Sequence, residues 1–182
     1  MGEKLITDVN KICDEYYEKT VDFLSEVIAC KSYSGHEKEC AYSVLHFFQK
    51  NDIPAFIDKR GSVLAVSTPF SADVNSNEDA HSWVKKVLED AQKNDAKVLI
   101  YNAHMDVVTA DNKEDWTDDP FKLVRRDGKI YGRGTCDMKG ALAAMAYSIV
   151  LSKKLDEISP YTSKEINSLS KEMYPESQSL PL

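Results

Sequence analysis

The sequence predicts an α/β fold in which a mixed, largely parallel sheet is flanked by helices. Apolar residues recur at helical spacing over 7–29 and again, among small side chains, over 138–155. Between these segments, a run over 98–103 that begins Val-Leu-Ile-Tyr has the composition of a buried strand. At 182 residues, the chain has the length of one α/β domain with a core of its own.

Two helices are predicted at the amino-terminal end. The first, over 7–29, carries one apolar stripe. Its members are Val9, Ile12, Cys13, Tyr16, Tyr17, Thr20, Leu24, Val27 and Ile28. In the second, Ser34 followed by Glu37 is a capping-box pattern, which predicts that Ser34 caps a helix continuing to about residue 51.

Strand patterns follow these helices. Short strands are predicted over 55–58 and 63–67, and the strongest strand over 98–103. Residues 71–95 form a polar insertion that contains a helix of its own. Farther along, 123–131 reads as a hairpin with Asp-Gly at its turn.

The composition changes near the carboxyl end. Residues 132–137 form a glycine-containing loop before the helix over 138–155. We therefore assign 1–155 to the folded domain. Residues 156–182, rich in serine and with three prolines, are predicted to be a loosely structured tail with a short helix over 164–173.

Composition narrows the classes of function. The net charge is −7, which argues against a surface for nucleic acid or an anionic membrane. The apolar runs are too short to span a bilayer, and the first residues do not resemble a signal peptide. Four cysteines at irregular spacing indicate free thiols, and with them a cytoplasmic protein.

His104 and Asp106 come directly after the predicted strand 98–103. Because side chains alternate along a strand, positions 104 and 106 point to the same side. A histidine whose second ring nitrogen is held by a carboxylate is the usual arrangement around a bound metal ion. Taken alone, such a pair is more often two ordinary polar residues at the fringe of a sheet, satisfied by hydrogen bonds.

Asp137 precedes a predicted helix. An aspartate there commonly caps the first turn, although one of its oxygens can cap while the other binds a metal ion. Gly132 and Gly134 permit tight turns beside a ligand. A dinucleotide-binding loop would need a glycine at position 137, so that reading fails.

Two other residues invite a chemical role without supporting one. His36-Glu37 resembles the start of a zinc-protease helix motif, but Cys40 stands where the second histidine would be needed. Cys136 has no histidine close to it in sequence, and a buried thiol is the commoner outcome.

A longer ordered series contains the candidate residues. It runs His104-Met105-Asp106-Val107-Val108, Trp116, Asp119-Pro120-Phe121 and Asp127-Gly128-Lys129-Ile130-Tyr131-Gly132-Arg133-Gly134-Thr135-Cys136-Asp137-Met138-Lys139-Gly140. This series closely resembles the family of co-catalytic zinc hydrolases that includes acetylornithine deacetylase, succinyl-diaminopimelate desuccinylase and glutamate carboxypeptidase. The resemblance extends from about Thr7 to Leu155 and corresponds to the amino-terminal part of that family.

The resemblance implies roles for three residues. His104 matches the terminal ligand of one metal ion, Asp137 the carboxylate that bridges two ions, and Asp106 the acid that orients the histidine. It also implies a cis peptide bond between Asp137 and Met138. Two zinc ions per complete site, with Co²⁺ or Mn²⁺ as substitutes, would polarise an amide carbonyl and activate a bridging water.

The implied reaction is hydrolysis of the amide bond in N-acyl amino acids or short peptides. The implied partners are these small molecules, with neither nucleic acid nor membrane. A homodimer is implied only for a full-length form that has the family's lid domain.

The chain departs from the family pattern after Leu155. The family continues with a strand that leads into paired glutamates, the first a general base and the second a ligand. Glu172 lies near the expected distance, but no apolar strand precedes it and Met173 stands where the paired acid belongs. No general base is identified, and we expect a truncated or frame-shifted chain, weakly active or inactive. The alternative is a non-catalytic metal-binding or structural module derived from the family.

Overall fold

A computed structural model of the chain describes residues 2–67, 79–111 and 113–158. Its helices are α1 (Gly2–Ala29), α2 (Lys38–Lys50), α3 (Ala80–Lys93) and α4 (Gly140–Ile158). Its strands are β1 (Ala55–Ile57), β2 (Val63–Ala65), β3 (Val124–Arg126) and β4 (Lys129–Tyr131). A 3-10 turn covers Lys113–Asp115, and a wide turn over Thr135–Lys139 leads into α4.

The core lies between α1, α2 and α4. Phe23 of α1 stacks on Phe47 of α2 with ring centroids 4.0 Å apart, and Tyr147 of α4 meets the Phe47 ring edge at 4.8 Å. Ala143, which is fully buried, and the nearby Ala146 have small side chains, and these leave room on α4 for the aromatic rings. Aromatic pairs of this kind stabilise a core beyond their buried area.

The predicted helices are present, with differences at their ends and faces. Of the predicted stripe on α1, Ile12, Leu24, Val27 and Ile28 are buried, whereas Cys13 and Tyr17 are exposed. Helix α4 continues to Ile158, past the predicted end near residue 155. Helical spacing gives the direction of a face but not its width, which depends on what packs against it.

The predicted capping box at α2 is wrong. Glu37 is the N-cap residue, and no side chain caps the first turn. The Glu37 carboxylate instead accepts a hydrogen bond from the Gly35 backbone N–H at 2.8 Å, where Gly35 has a φ of +82°. The Ser34 hydroxyl is thereby left to bond elsewhere, and it binds Asp106. A long-range partner has replaced the local one that the pattern predicts.

The described strands form two small antiparallel sheets. β1 pairs with β2, with Phe56 opposite Leu64, and β3 pairs with β4. In the described part of the chain, parallel pairing is limited to one isolated bridge between Tyr33 and Val107. The fold is thus mixed helix and sheet as predicted, but the described residues do not form a largely parallel sheet.

The prediction of a strand over 98–103 is also wrong for the described structure. These residues have no regular secondary structure, and the Leu99 and Ile100 side chains are 75% and 70% exposed. A strand exists only through the hydrogen bonds of a neighbour, and none of the described strands lies beside this run. Its composition favours a buried strand, but none of the described strands lies next to it to form the backbone hydrogen bonds.

The predicted hairpin is confirmed. Asp127 and Gly128 connect β3 to β4 with φ angles of +53° and +70°, the pair of positive values that a type I′ turn requires. Asp-Gly supplies these angles at low cost, so the local sequence determines the turn.

Within the polar insertion, α3 is the predicted helix. The Asp79 carboxylate caps it by accepting from the N–H groups of His81 and Ser82. Trp83 packs its ring against Phe56 of β1 at 5.3 Å, which attaches α3 to the first sheet. Residues 71–78 and the predicted helix over 164–173 lie outside the described residues.

All four cysteines are free thiols, as the sequence predicts, with Cys30 and Cys40 buried and Cys13 and Cys136 exposed. None of the helices in the described ranges is long and apolar enough to cross a membrane.

Candidate functional site

The structure brings His104, Asp106 and Asp137 together. The His104 Nε2 atom lies 2.9 Å from Oδ1 of Asp137, and the Nδ1 atom lies 3.1 Å from Oδ1 of Asp106. One carboxylate therefore faces each ring nitrogen, and the Asp106 backbone carbonyl also forms a hydrogen bond with Nδ1 at 3.2 Å. The Asp137 side chain is 86% exposed, so solvent and small ions reach this end of the pair.

The loop between α1 and α2 fixes the segment that carries His104 and Asp106. The Ser32 hydroxyl donates to the Met105 carbonyl at 2.6 Å, and the Val107 N–H donates to the Ser32 carbonyl at 2.8 Å. Ser32 is only 1% exposed, which protects both bonds from water. A buried loop contact thus sets the conformation of residues 104–107, although they are not part of a strand.

Asp137 lies in the wide turn that precedes α4. It has extended backbone angles, φ −137° and ψ 98°, and the Asp137–Met138 peptide bond is cis, as the resemblance predicts. Gly134 begins this turn with a φ of +85°, and the Lys139 N–H closes it on the Gly134 carbonyl at 2.7 Å.

A buried lysine joins this turn to the core. Lys139 is fully buried, and its Nζ donates to the carbonyls of Val27 and Cys30 at 2.6 and 2.8 Å. These carbonyls belong to the end of α1, where helix carbonyls need donors from outside the helix. Burial lowers the pKa of Lys139, against the smaller effects of the Cys40 and Cys30 thiols. Lys139 thus fixes the position of the turn that carries Asp137.

The charges at the site reinforce one another. Burial disfavours the charged form of His104, but the hydrogen bonds that the ring donates to the Asp137 carboxylate and to the Asp106 backbone carbonyl outweigh it and raise the pKa of His104. The hydrogen bond from Ser34 lowers the pKa of Asp106, and the nearby His104 ring adds to this effect. Asp106 is therefore ionised whenever His104 titrates.

The pair of His104 and Asp137 has the spacing of two ligands on one ion. Two ligands of a tetrahedral zinc ion, each about 2.0–2.1 Å from the metal, lie roughly 3.3 Å apart. The observed 2.9 Å between Nε2 and Oδ1 needs only a small opening to match. Within residues 2–67, 79–111 and 113–158, however, no three His, Cys, Asp or Glu side chains gather where they could hold a metal ion.

The other candidates from the sequence lie apart from this chemistry. His36 and Cys136 are exposed, and neither takes part in a described contact with His104 or Asp137. The expectation of a buried thiol at Cys136 is therefore wrong. Glu172 lies outside the described residues. Sequence reasoning missed the roles of Ser32, Ser34 and Lys139, although Ser34 and Lys139 fall within motifs that it had singled out.

A titration tests the electrostatic part of this description. In zinc-free protein, NMR of the imidazole should give His104 a pKa above the 6.5 of an unperturbed histidine, because two carboxylates stabilise its charged form. Asp137→Asn should lower that pKa, because it removes the negative charge at Nε2.

The sign of the linked stability follows from the raised pKa. The contribution of protonated His104 to folding is fully present below pH 6.5 and is lost as the pH rises through the pKa of His104. A His104 that titrates at or below 6.5 in both proteins would contradict the described contacts.

Comparison with known proteins gives one family. The model of the peptidase family M20/M25/M40 matches residues 100–161. A probable succinyl-diaminopimelate desuccinylase of Staphylococcus aureus is 28% identical over 141 residues, which are 78% of this chain and 30% of that protein. A probable enzyme of the same name from Staphylococcus epidermidis is 51% identical over 59 residues, 32% of this chain and 15% of that protein.

The succinyl-diaminopimelate desuccinylase of Buchnera aphidicola is 43% identical over 72 residues, which cover 40% of this chain and 17% of that protein. This chain thus spans about 30% of the length of the Staphylococcus aureus relative. The matched residues 100–161 include both His104 and Asp137. Over residues 100–161 the chain is similar to the peptidase family M20/M25/M40.

Proposed function

We propose that this chain is part of a zinc-dependent hydrolase that cleaves the amide bond of N-acyl amino acids or small peptides. The observation that supports it most is the His104–Asp137 contact at 2.9 Å, with Asp106 on the other ring nitrogen. When bound, two divalent ions would polarise the amide carbonyl and activate the attacking water. The names of the relatives add N-succinyl amino acids to the proposed substrates.

Each of the three residues has a proposed task. His104 would hold one ion through its imidazole, and the Asp137 carboxylate would be shared between two ions. Asp106 accepts the Nδ1 proton of His104, which leaves the Nε2 lone pair directed at the ion. Nε2 of His104 faces Oδ1 of Asp137 at 2.9 Å, and a proton held on Nε2 would have to leave before a metal ion binds there, so metal binding should strengthen as the pH rises.

The same proposal covers the surroundings of the site. We propose that the run over 98–103 belongs to a largely parallel sheet in the whole protein, and that residues 1–155 form the amino-terminal part of its catalytic domain. A cytoplasmic location and a homodimer of the full-length form belong to the proposal as well. The free thiols support the location.

Metal binding tests the role of the pair directly. We expect calorimetry to find weak binding of Zn²⁺ to the 182-residue chain, since a catalytic zinc site uses three protein ligands and only two converge among the residues that the structure describes. His104→Ala and Asp137→Ala should each weaken binding at least about tenfold, because each removes a ligand. His46→Ala, at an exposed position of α2, is the matched control. Unchanged affinity in both site variants would refute the proposed ligands.

Turnover by the isolated chain should be at most a trace. Without an identified general base, the rate loses a contribution typically worth about 10²–10⁴. The assay measures hydrolysis of N-succinyl and N-acetyl amino acids with added Zn²⁺ or Co²⁺, beside His104→Ala. Robust metal-dependent hydrolysis that the substitution abolishes would contradict this expectation and would assign the missing groups to residues of this chain.

The second candidate function is a metal-binding module without catalysis. Among the described residues only two possible metal ligands converge, fewer than a catalytic site needs, and this favours the module without catalysis. Zinc binding without turnover in the 182-residue chain fits both candidates. Turnover that appears when the chain is extended to the full length of its relatives would select the hydrolase.

A further inference from the structure

Ser34 contacts the site without belonging to the residues that would bind metal. It lies in the loop between α1 and α2, and its hydroxyl donates to Oδ2 of Asp106 at 2.6 Å. The other oxygen of that carboxylate, Oδ1, faces Nδ1 of His104 at 3.1 Å. The Oδ2 atom of Asp106 is therefore held by Ser34, while Oδ1 and the Asp106 backbone carbonyl, at 3.2 Å, both face Nδ1 of the imidazole.

This geometry restricts the rotation of Asp106. A carboxylate with a single hydrogen bond can turn about its side-chain torsions, whereas one held at both oxygens has a defined plane. The plane of the Asp106 carboxylate, together with the Asp106 backbone carbonyl 3.2 Å from Nδ1, determines where Nδ1 of His104 is bound, and hence where Nε2 points. In the structure Nε2 points at Asp137.

The backbone on both sides of Ser34 is held by hydrogen bonds, and those before it connect to the segment that carries His104 and Asp106. Its neighbour Tyr33 forms a parallel bridge with Val107, and Ser32 bonds to both Met105 and Val107. On the other side, Glu37 holds the turn at Gly35. The Ser34 hydroxyl is thus presented to Asp106 by a loop that is fixed before and after it.

We propose that Ser34 is a positioning residue, which orients Asp106 so that His104 directs Nε2 toward Asp137. Its effect on the ring stands independently of any metal ion, whereas its consequence for zinc binding rests on the function proposed above. Ser34 is exposed, so water competes for the same carboxylate oxygen. The effect of its loss should therefore lie near the lower end of the tenfold to 100-fold typical of such supporting groups.

The experiment compares Ser34→Ala and Ser34→Thr in the 182-residue chain. The matched control is Ser148→Ala, an exposed serine whose hydroxyl donates within α4 to the Ala144 carbonyl. The first readout is the ¹⁵N NMR spectrum of the metal-free imidazole at one fixed pH, which reports the tautomer of His104. The second is the affinity for Zn²⁺ by calorimetry.

We expect Ser34→Ala to shift the His104 tautomer ratio toward that of a free imidazole and to weaken Zn²⁺ binding by about threefold to tenfold. Ser34→Thr keeps the hydroxyl and should restore both values to within about twofold, which a merely structural role would not require. Ser148→Ala should change neither.

An unchanged tautomer ratio in Ser34→Ala would overturn the proposal, whatever the zinc affinity. Failure of Ser34→Thr to restore the ratio would overturn it as well. If the tautomer shifts while His104→Ala leaves zinc binding intact, Ser34 positions the ring and it is the proposed metal role of His104 that fails.

Discussion

Replacing Phe47 with alanine should lower the free energy of unfolding by about 3–5 kcal/mol, the usual cost of removing a buried aromatic ring. Phe47 is 6% exposed, and its ring lies between Phe23 of α1 and Tyr147 of α4. The ring belongs to α2 and packs against both α1 and α4. A shift of one helix alone therefore cannot fill the cavity that its removal would leave. Urea denaturation followed by circular dichroism measures the change.

Tyr42→Ala on the same helix is the control, because the Tyr42 side chain is 56% exposed. It should change the stability by no more than about 0.5 kcal/mol. A Phe47→Ala loss as small as that of Tyr42→Ala would mean that α1, α2 and α4 do not pack as described.

Replacing Gly134 with alanine should also strongly lower the free energy of unfolding, and it alters the turn that carries Asp137. Gly134 has a φ of +85°, which costs a residue with a Cβ roughly 1–2 kcal/mol. The new Cβ would lie 2.6 Å from Cγ1 of Val107 and 3.2 Å from Cδ of Lys139, both buried. Overpacking of this kind adds about 1–3 kcal/mol, so we expect a total loss of about 2–5 kcal/mol.

Gly128→Ala separates strain from crowding. Gly128 also has a positive φ, +70°, but nothing lies within 4 Å of the position of its Cβ. It should show the backbone cost alone, and the difference between the two variants measures the contact with Val107 and Lys139. Zinc affinity should fall in Gly134→Ala and stay unchanged in Gly128→Ala. Equal losses of stability would contradict the close packing at Gly134.

The parts of the fold that depend on neighbours in sequence could be predicted. The hairpin at Asp127-Gly128 needs only two residues with positive φ, and α1, α2 and α4 follow from helical spacing. The strand over 98–103 could not be decided in the same way, because pairing depends on a distant partner that spacing does not reveal. The capping box failed for a related reason, since Asp106 is a partner 72 residues away from Ser34.

The proximity of His104 and Asp106 was predicted correctly from a wrong premise. Period-two alternation assumed a strand, whereas the loop contacts of Ser32 with Met105 and Val107 hold the segment. Proximity to Asp137 came from the family resemblance, not from any periodicity. Lys139 could not be identified as buried, because its polar character predicts exposure and only the end of α1 explains its place. The metal-binding roles remain predictions.

The bonds of Lys139 have a consequence for how the site moves. Opening the turn around Asp137 would pull the ammonium away from the carbonyls of Val27 and Cys30 and leave buried groups without partners. The turn therefore does not open by itself. Opening it also disrupts the end of α1, so the two should have the same free energy of local opening. The Asp137 carboxylate is exposed to solvent, yet the backbone of its turn opens only together with the buried end of α1.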